Sequence, residues 1–79
     1  MKEAVLFLVN NLVENKDAVR VEESVEGDSL FLHVFVAQDD LGRVVGKGGK
    51  VANSIRTIVR ALGNHNNVRV SVKFDAQEA

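Results

Sequence analysis

The stretch Val44-Val45-Gly46-Lys47-Gly48-Gly49-Lys50 places three glycines and two lysines between two segments that both have helical patterns. A glycine inside a helix costs about 1 kcal/mol relative to alanine, so the cluster predicts a break between two helices. Because glycine has no side chain, another backbone can approach such a turn closely. The helix that follows offers free N–H groups and partial positive charge, which attract phosphate. With Lys47 and Lys50 adding full charges, the loop is predicted to dock a phosphate backbone.

Charge is divided unevenly along the chain. Residues 1–40 carry three basic and nine acidic residues, whereas residues 41–79 carry seven basic and two acidic residues. Such an imbalance indicates a polyanion partner for the second half, although charges that only solvate helix and strand faces would give the same distribution. The position of the glycine loop in the basic half favours the polyanion.

Length and composition limit the class of protein. Seventy-nine residues make one domain, and a hydrophobic content of 46% is enough for a packed core. The sequence contains no cysteine, which excludes disulfides and cysteine metal sites, and it shows no pattern for another metal or a cofactor. It has no apolar run of bilayer length, and its start lacks the features of a signal peptide. These observations predict a cytoplasmic protein without a membrane segment.

Hydrophobic periodicity predicts three elements in the first half. Apolar residues at helical spacing predict an amphipathic helix over residues 2–14, and alternation predicts strands over 18–26 and 29–37. Gly27-Asp28 fits a two-residue hairpin loop between the strands. That register aligns the apolar faces by pairing Val25 with Leu30, Val21 with Val34 and Val19 with Val36.

Three further elements are predicted in the second half. Asp39 or Asp40 is expected to cap a short helix at about residues 40–45. A long helix from about Lys50 to Leu62 follows the glycine loop, with Gly63 as its C-terminal stop. A third strand over 68–74 and a loose tail over 75–79 complete the chain. The predicted buried side of the long helix comprises Val51, Ile55, Ile58, Val59 and Leu62.

The element order predicts a two-layer α+β fold. The hairpin makes the first two strands antiparallel, and the crossover of about thirty residues to the third strand is long enough for a parallel pair. The second strand is the most apolar, so it is expected at the centre of a three-stranded mixed sheet. The three helices would cover one face of that sheet.

The glycine loop and this element order together resemble a type II KH domain. The signature of the family is an aliphatic pair, a Gly-x-x-Gly loop, and apolar positions three and six residues on. In this chain the matching residues are Val44-Val45, Gly46-Lys47-Gly48-Gly49, Ala52 and Ile55. Ala52 departs from the usual isoleucine or valine. The resemblance covers nearly all of residues 1–74, is strongest to the small stand-alone bacterial proteins of the KhpA group, and implies one KH domain with a core of about 2–74.

The resemblance also implies a function. KH domains hold about four nucleotides of single-stranded nucleic acid with the Gly-x-x-Gly loop against the backbone. The implied function is single-stranded RNA binding without catalysis, as an RNA chaperone or post-transcriptional regulator. Self-association and pairing with a larger KH-containing protein are implied as well. The implied RNA-binding residues are Arg43, Val44, Val45, Gly46, Lys47, Gly48, Gly49, Lys50, Asn53 and Arg56.

Enzymatic alternatives find little support in the sequence. The segment Gly42-Arg43-Val44-Val45-Gly46-Lys47-Gly48 has one residue too few for a Walker A motif and lacks the following Ser or Thr. Neither His33 nor His65 has a cysteine or serine partner at a recognisable spacing. No catalytic constellation is therefore visible.

Two alternatives without catalysis stay open. The two helices around a glycine turn also fit a helix-turn-helix DNA binder, although the strands have no role in that scheme. An interaction module is the other alternative, because Phe31 and Phe35 are predicted on the outer face of the sheet. Leu6, Phe7 and one of Ile58 or Val59 also exceed the needs of a single core. The same apolar residues favour a dimer.

Overall fold

The computed structural model describes residues 1–77. Within this range the elements follow the predicted order of helix, strand, strand, helix, helix and strand. The helices are α1 (Lys2–Asn10), α2 (Gln38–Val45) and α3 (Lys50–His65), and the strands are β1 (Arg20–Glu26), β2 (Ser29–Val36) and β3 (Arg69–Ala76). Short 3₁₀ turns at Lys16–Ala18 and Lys47–Gly49 precede β1 and α3. The predicted α+β class is confirmed.

The sheet has the predicted topology, with β2 between its two neighbours. Strand β1 runs antiparallel to β2, and β3 runs parallel to it. The Gly27-Asp28 loop closes the hairpin, and the ladder contains the predicted pairs Val25–Leu30 and Val21–Val34. Because β1 begins at Arg20, the predicted pair of Val19 and Val36 lies just outside the ladder.

The core lies between one face of the sheet and the helices. Leu32, Val34 and Val36 of β2 are at most 1% exposed, as expected for the central strand. Each such side chain stabilises the fold by about 1.5–3 kcal/mol when it is fully buried. The helices contribute Val5 and Val9 from α1, Val44 from α2, and Ala52, Ile55 and Val59 from α3.

Helix α1 ends at Asn10, so the predicted helix over 2–14 is too long. Beyond its end, the backbone N–H groups of Glu14 and Asn15 donate to the carboxylate of Asp40. A continued helix would direct these N–H groups to its own carbonyls instead. Val13 is still 4% exposed, because the connector packs on the core after it leaves the helix.

The predicted cap of α2 is wrong. The helix begins at Gln38 with Ala37 at the N-cap position, and no side-chain hydrogen bond caps it. Asp39 is exposed, and Asp40 is 1% exposed. The carboxylate of Asp40 accepts hydrogen bonds from the connector between α1 and β1, which local sequence does not indicate.

Helix α3 continues to His65, so the prediction that Gly63 stops it is wrong. Gly63 is buried where α3 meets the start of β3, and a Cβ added there would lie 2.7 Å from the carbonyl oxygen of Val68. The N–H of Val68 donates to the Gly63 carbonyl at 2.8 Å. Asn67, with a φ of 60°, supplies the left-handed turn that follows the helix.

The buried face of α3 is rotated relative to the predicted one. Leu62 is 42% exposed, although it is predicted on the buried side. Ile58 is 47% exposed and Val59 is buried, so Ile58 is the one of that pair that exceeds the needs of the core. Small residues at the contact with the sheet allow the helix to lie close to it, and the larger side chains one position away point outward. The buried residues of α3 are Ala52, Ile55, Val59 and Gly63.

Strand β3 continues to Ala76 because β2, which runs to Val36, still offers a partner there. Beyond the strand, the N–H of Gln77 donates to the Val36 carbonyl at 2.7 Å. The prediction of a loose tail from residue 75 is therefore wrong for residues 75–77, which belong to β3 or bond to β2. Its last two residues lie outside the described part of the chain.

Candidate nucleic-acid interface

The loop between α2 and α3 has a backbone that favours glycine. Gly46, Gly48 and Gly49 have φ values of 77°, 65° and 78°, a conformation that costs other residues roughly 1–2 kcal/mol each. A Cβ added to Gly46 would also lie 2.9 Å from the backbone nitrogen of Val51. At Gly48, by contrast, no described atom lies within 4 Å of that position. Gly46 is therefore packed, and Gly48 leaves the loop open to an approaching molecule.

Lys47 and Lys50 place two positive charges at the N-terminus of α3. Both residues are exposed, and neither forms an ion pair with a carboxylate of residues 1–77. Gly49 occupies the N-cap position, so no side chain of its own caps the first turn. The helix dipole adds about half a positive charge at this end. An anion at the loop would thus meet lysine charge and helix dipole together.

Asn53 and Arg56 continue the polar surface along α3 toward β3. The Nη1 of Arg56 donates to Asn53 Oδ1 at 3.0 Å, and its Nε donates to the carbonyl of Val72 at 3.0 Å. The guanidinium carbon lies 5.5 Å from the ring centroid of Phe74. Asn53 Nδ2 lies 3.8 Å from where a Cβ on Gly49 would be. The structure therefore brings Gly49, Asn53 and Arg56 into one line from the loop to the edge strand.

The aliphatic pair before the loop is divided between core and surface. Val44 is 0% exposed and belongs to the core, whereas Val45 is half-buried beside it. Val44 therefore anchors α2, and Val45 retains surface that a ligand can contact. Val70 and Val72 of β3 are only 6% and 8% exposed, so they offer a ligand little surface.

Arg43 is engaged by two carboxylates of its own chain. Its Nη2 lies 3.0 Å from Glu14 Oε1, and its Nε lies 3.4 Å from Asp40 Oδ1. Arg43 therefore differs from the other two cations near the loop. Lys47 and Lys50 form no ion pair with a carboxylate of residues 1–77. The charge of Arg43 is largely compensated before any ligand arrives.

Asp40 is a buried carboxylate that the sequence did not reveal as part of this region. It accepts hydrogen bonds from the N–H of Glu14 at 3.1 Å and from the N–H and side-chain amide of Asn15 at 3.0 Å. The Glu14 and Asn15 N–H groups, with a smaller effect of the Arg43 guanidinium, hold the pKa of Asp40 below its usual value, while burial opposes them. No local pattern indicates these contacts, since the partners are 26 and 25 positions away.

The outer face of the sheet, predicted as a contact surface, is divided in two. Phe31 is 43% exposed. Phe35 is covered by Arg20, whose guanidinium carbon lies 4.6 Å from the ring centroid, and by the ring of His33 at 4.1 Å. The Nε2 of His33 also lies 2.9 Å from Asp75 Oδ2. Phe31 therefore presents an open apolar surface, whereas Arg20 and His33 cover part of Phe35.

No group of three or more histidine, aspartate or glutamate side chains within residues 1–77 is arranged to hold a metal ion. The same span contains no helix with the length and apolar character needed to cross a membrane.

Comparison with known proteins yields one family and many relatives. A family model described as the KH domain of KhpA/KhpB matches residues 2–74. The chain is 40% identical over 74 residues to the RNA-binding protein KhpA of Caldanaerobacter subterraneus subsp. tengcongensis, covering 94% of this chain and 99% of the relative. It is 37% identical to KhpA of Clostridium perfringens, with the same coverage, and 34% identical to KhpA of Chlamydia pneumoniae, covering 95% of that relative.

Proposed function

The chain belongs to the KhpA/KhpB KH-domain family, and we propose from this premise that it binds single-stranded RNA through residues 46–56. The observation that carries the proposal is the bare loop backbone at Gly48, open to solvent between two exposed lysines. The relatives named RNA-binding protein KhpA support the same ligand.

Each part of the site has a distinct role in this proposal. The glycine loop takes the sugar-phosphate backbone, because it offers N–H groups with no side chains in the way. Lys47 and Lys50 neutralise phosphates. Asn53 and Arg56 face the bases with amide and guanidinium groups, and Val45 adds an apolar contact. A KH domain holds about four nucleotides in this way.

The chain has no Trp or Tyr, which limits base stacking. Recognition therefore depends on hydrogen bonds and apolar contacts rather than on aromatic platforms. This mode of recognition suits an RNA chaperone or post-transcriptional regulator acting in the cytoplasm, and no catalytic step is included in the proposal.

Duplex DNA binding of the helix-turn-helix kind is less compatible with the geometry. In that mode the second helix enters the major groove and reads base edges. Helix α3 buries Ala52, Ile55, Val59 and Gly63 against the sheet. Its exposed face carries the apolar Ile58 and Leu62 among polar residues, and the hydroxyls of Ser54 and Thr57 there donate to carbonyls of the helix itself.

The test is an NMR titration of isotope-labelled protein with a short single-stranded RNA of randomised sequence. Duplex DNA of the same length serves as the control. We expect backbone amide shifts at residues 43–56 and 68–73 with the RNA and much weaker shifts with the duplex. Equal responses to both would favour the DNA-binding alternative, and a silent loop would contradict RNA binding at this site.

We further propose that the chain self-associates, or pairs with a larger KH-containing protein, through the outward face of α3. Ile58 and Leu62 lie one helical turn apart and are 47% and 42% exposed, so they form one apolar surface. Phe7 of α1, at 69% exposed, is a further apolar side chain on the helical layer. Pairing two small RNA sites would raise avidity for a longer RNA.

Sedimentation equilibrium of an Ile58→Glu variant tests this surface. We expect the unmutated chain to dimerise and the variant to stay monomeric, because a carboxylate would be desolvated in the interface. The matched control is Val25→Glu, which adds the same charge at a 72% exposed position in β1. A monomeric unmutated chain at high concentration would contradict the homodimer.

A further inference from the structure

Arg43 sits on the last turn of α2, just before the glycine loop, yet its charge is held by the chain itself. Its Nη2 lies 3.0 Å from Glu14 Oε1, and its Nε lies 3.4 Å from Asp40 Oδ1. Lys47 and Lys50, on the other side of the loop's first glycine, form no such pair within residues 1–77. Arg43, one of the cations nearest the proposed RNA site, is therefore already in an ion pair before RNA binds.

The two carboxylates hold Arg43 in different ways. Asp40 is 1% exposed and accepts the backbone N–H groups of residues 14 and 15, so it ties the connector after α1 to helix α2. The side chain of Glu14 is 71% exposed and touches Arg43 only through the ion pair. Since the bond from Glu14 to Asp40 uses the backbone, the Glu14 side chain can be changed while the tie is kept.

Arginine binds phosphate in the same two-pronged geometry as it binds carboxylate. An exposed pair such as Arg43–Glu14 is weak, because both groups are well solvated when apart. A phosphate that arrives at the loop can therefore compete with Glu14 for the same guanidinium. The side chain of Arg43 is 51% exposed, so it is accessible from solvent.

We propose that Glu14 sets the RNA affinity of this domain by competing with RNA phosphate for Arg43, and that Asp40 is the positioning residue that keeps Glu14 within reach. The inference rests on the proposed function of the loop and specifies its regulation. In the free protein Glu14 occupies Arg43, and RNA must displace it to gain a further phosphate contact. Removal of the Glu14 carboxylate then frees the Nη2 of Arg43 for RNA, while the Nε keeps its contact with Asp40.

The first measurement is the affinity of a Glu14→Gln variant for a fluorescent single-stranded RNA of randomised sequence. We expect binding about two- to fivefold tighter than that of the unmutated chain, since the competing pair is an exposed one. The slope of log affinity against log salt should steepen by about 0.7, from the added phosphate contact. A lost structural contact would weaken binding instead, so the sign of the change distinguishes the two.

Glu26→Gln is the matched control, because it removes the same charge at the hairpin. Glu26 pairs with Ser29 at the start of the eight-residue strand β2, whereas α2 follows the end of that strand. A strand of eight residues spans roughly 25 Å. Glu26 is therefore separated from the start of α2 by about three Debye lengths at physiological salt, over which its charge is screened. A gain in affinity from net charge alone would appear in both variants, and the proposal requires it in Glu14→Gln only.

A double-mutant cycle then identifies Arg43 as the released group. Arg43→Gln should change RNA affinity little in the unmutated background and should remove most of the gain in the Glu14→Gln background. Glu14→Ala also leaves the backbone N–H in place and should show the same gain in affinity. It serves as the second variant in case the glutamine amide of Glu14→Gln disturbs the loop. Thermal unfolding by circular dichroism verifies that each variant is folded.

Two results would overturn the inference while leaving the proposed function intact. One is a Glu14→Gln affinity equal to that of Glu26→Gln, and the other is strict additivity of the Glu14 and Arg43 changes. The absence of any RNA binding by the unmutated chain would defeat the proposed function itself, and this inference with it.

Discussion

Two turns in this molecule use left-handed glycines, and they differ in what surrounds them. Gly27 has a φ of 59° and closes the hairpin between two strands. Gly46, Gly48 and Gly49 have φ values between 65° and 78° and connect α2 to α3. At Gly27 and at Gly48 alike, no described atom lies within 4 Å of an added Cβ. Local backbone geometry therefore does not separate the two turns.

Charge and the element that follows do separate them. The hairpin turn lies between Glu26 and Asp28 and leads into a strand whose N–H groups pair with neighbouring strands. The other turn lies between Lys47 and Lys50 and leads into a 16-residue helix whose positive end faces solvent. These charges would repel phosphate at the first turn and attract it at the second. On this proposal, the flanking charge and the following helix make a glycine turn a binding loop.

The largest expected effect is the loss of RNA binding by a Lys47→Asp, Gly48→Asp double variant. Two carboxylates at the N-terminus of α3 would repel phosphate, and we expect affinity to fall at least about a hundredfold, or about 2.7 kcal/mol. Aspartate tolerates the left-handed conformation better than most residues, so the fold should persist. Fluorescence anisotropy measures the affinity, and circular dichroism verifies the fold.

The same chemistry at the hairpin provides the control. Gly27→Asp adds a carboxylate to the other left-handed turn, which is expected to leave RNA affinity unchanged. If that variant also lost RNA binding, the contrast between the two turns would be wrong. Unchanged affinity in a folded Lys47, Gly48 double variant would refute the assignment of the loop.

The second prediction concerns stability at the same two turns. Gly46→Ala adds a contact 2.9 Å from the Val51 nitrogen to the cost of the left-handed backbone, and we expect it to lower the free energy of unfolding by about 2–4 kcal/mol. Gly27→Ala meets no described atom within 4 Å and should lower it by only about 1–2 kcal/mol. Urea denaturation measures both. Equal losses would mean that the loop relaxes around the new methyl group.

The third prediction is the salt dependence of RNA binding. Sequence alone predicts three phosphate contacts, from Arg43, Lys47 and Lys50, and a slope of about −2. Because Arg43 is paired with Glu14, we expect two contacts and a slope of about −1.4, from roughly −0.7 per contact. Affinity measured across a salt series gives the slope. A flat response would contradict phosphate binding altogether, and a value near −2 would show that RNA displaces Glu14 completely.

The fourth and smallest effect is the pH dependence of the stability of the fold, which arises from Asp40 in α2. The pKa of Asp40 is lowered by the Glu14 and Asn15 N–H groups, so its carboxylate stabilises the fold above the ordinary pKa. That stabilisation is lost as pH falls through the lowered pKa of the folded state. We expect Asp40→Asn to be less stable near neutral pH and to show a flatter decline below pH about 4. Asp39→Asn, at an exposed neighbouring position, is the control for urea titrations at each pH.

Much of this fold was predictable because it depends on short-range patterns. The alternation of Val21 and Val25 defines one face of β1, and a two-residue turn at Gly27 leaves one register that matches it to β2. The glycine cluster likewise predicted where α2 ends and α3 begins. The proposed site residues from Gly46 to Arg56 lie on one continuous stretch of chain, so their proximity needs no long-range contact.

Two of the failed predictions concern residues whose deciding contacts lie outside their own helix. Gly63 is a residue type that commonly ends helices. In this structure it lies within α3, where the absence of a side chain allows the helix to approach Val68, just before β3. Asp40 is a residue type that commonly caps helices. Its carboxylate instead accepts hydrogen bonds from the N–H groups of Glu14 and Asn15, which lie 26 and 25 positions away. In both cases a residue satisfies a local rule, and a contact outside its own helix decides its role.

The sequence by itself determined the order of elements, the register of the hairpin and the position of a basic glycine loop at a helix N-terminus. These follow from side-chain periodicity and from the conformational freedom of glycine, which act over a few residues. Only the tertiary structure decided that Arg43 is held by Glu14 and Asp40 and that Ile58 and Leu62 face outward. Those outcomes depend on which surfaces meet when α3 and the connector pack, because burial and ion pairing are decided by distant partners.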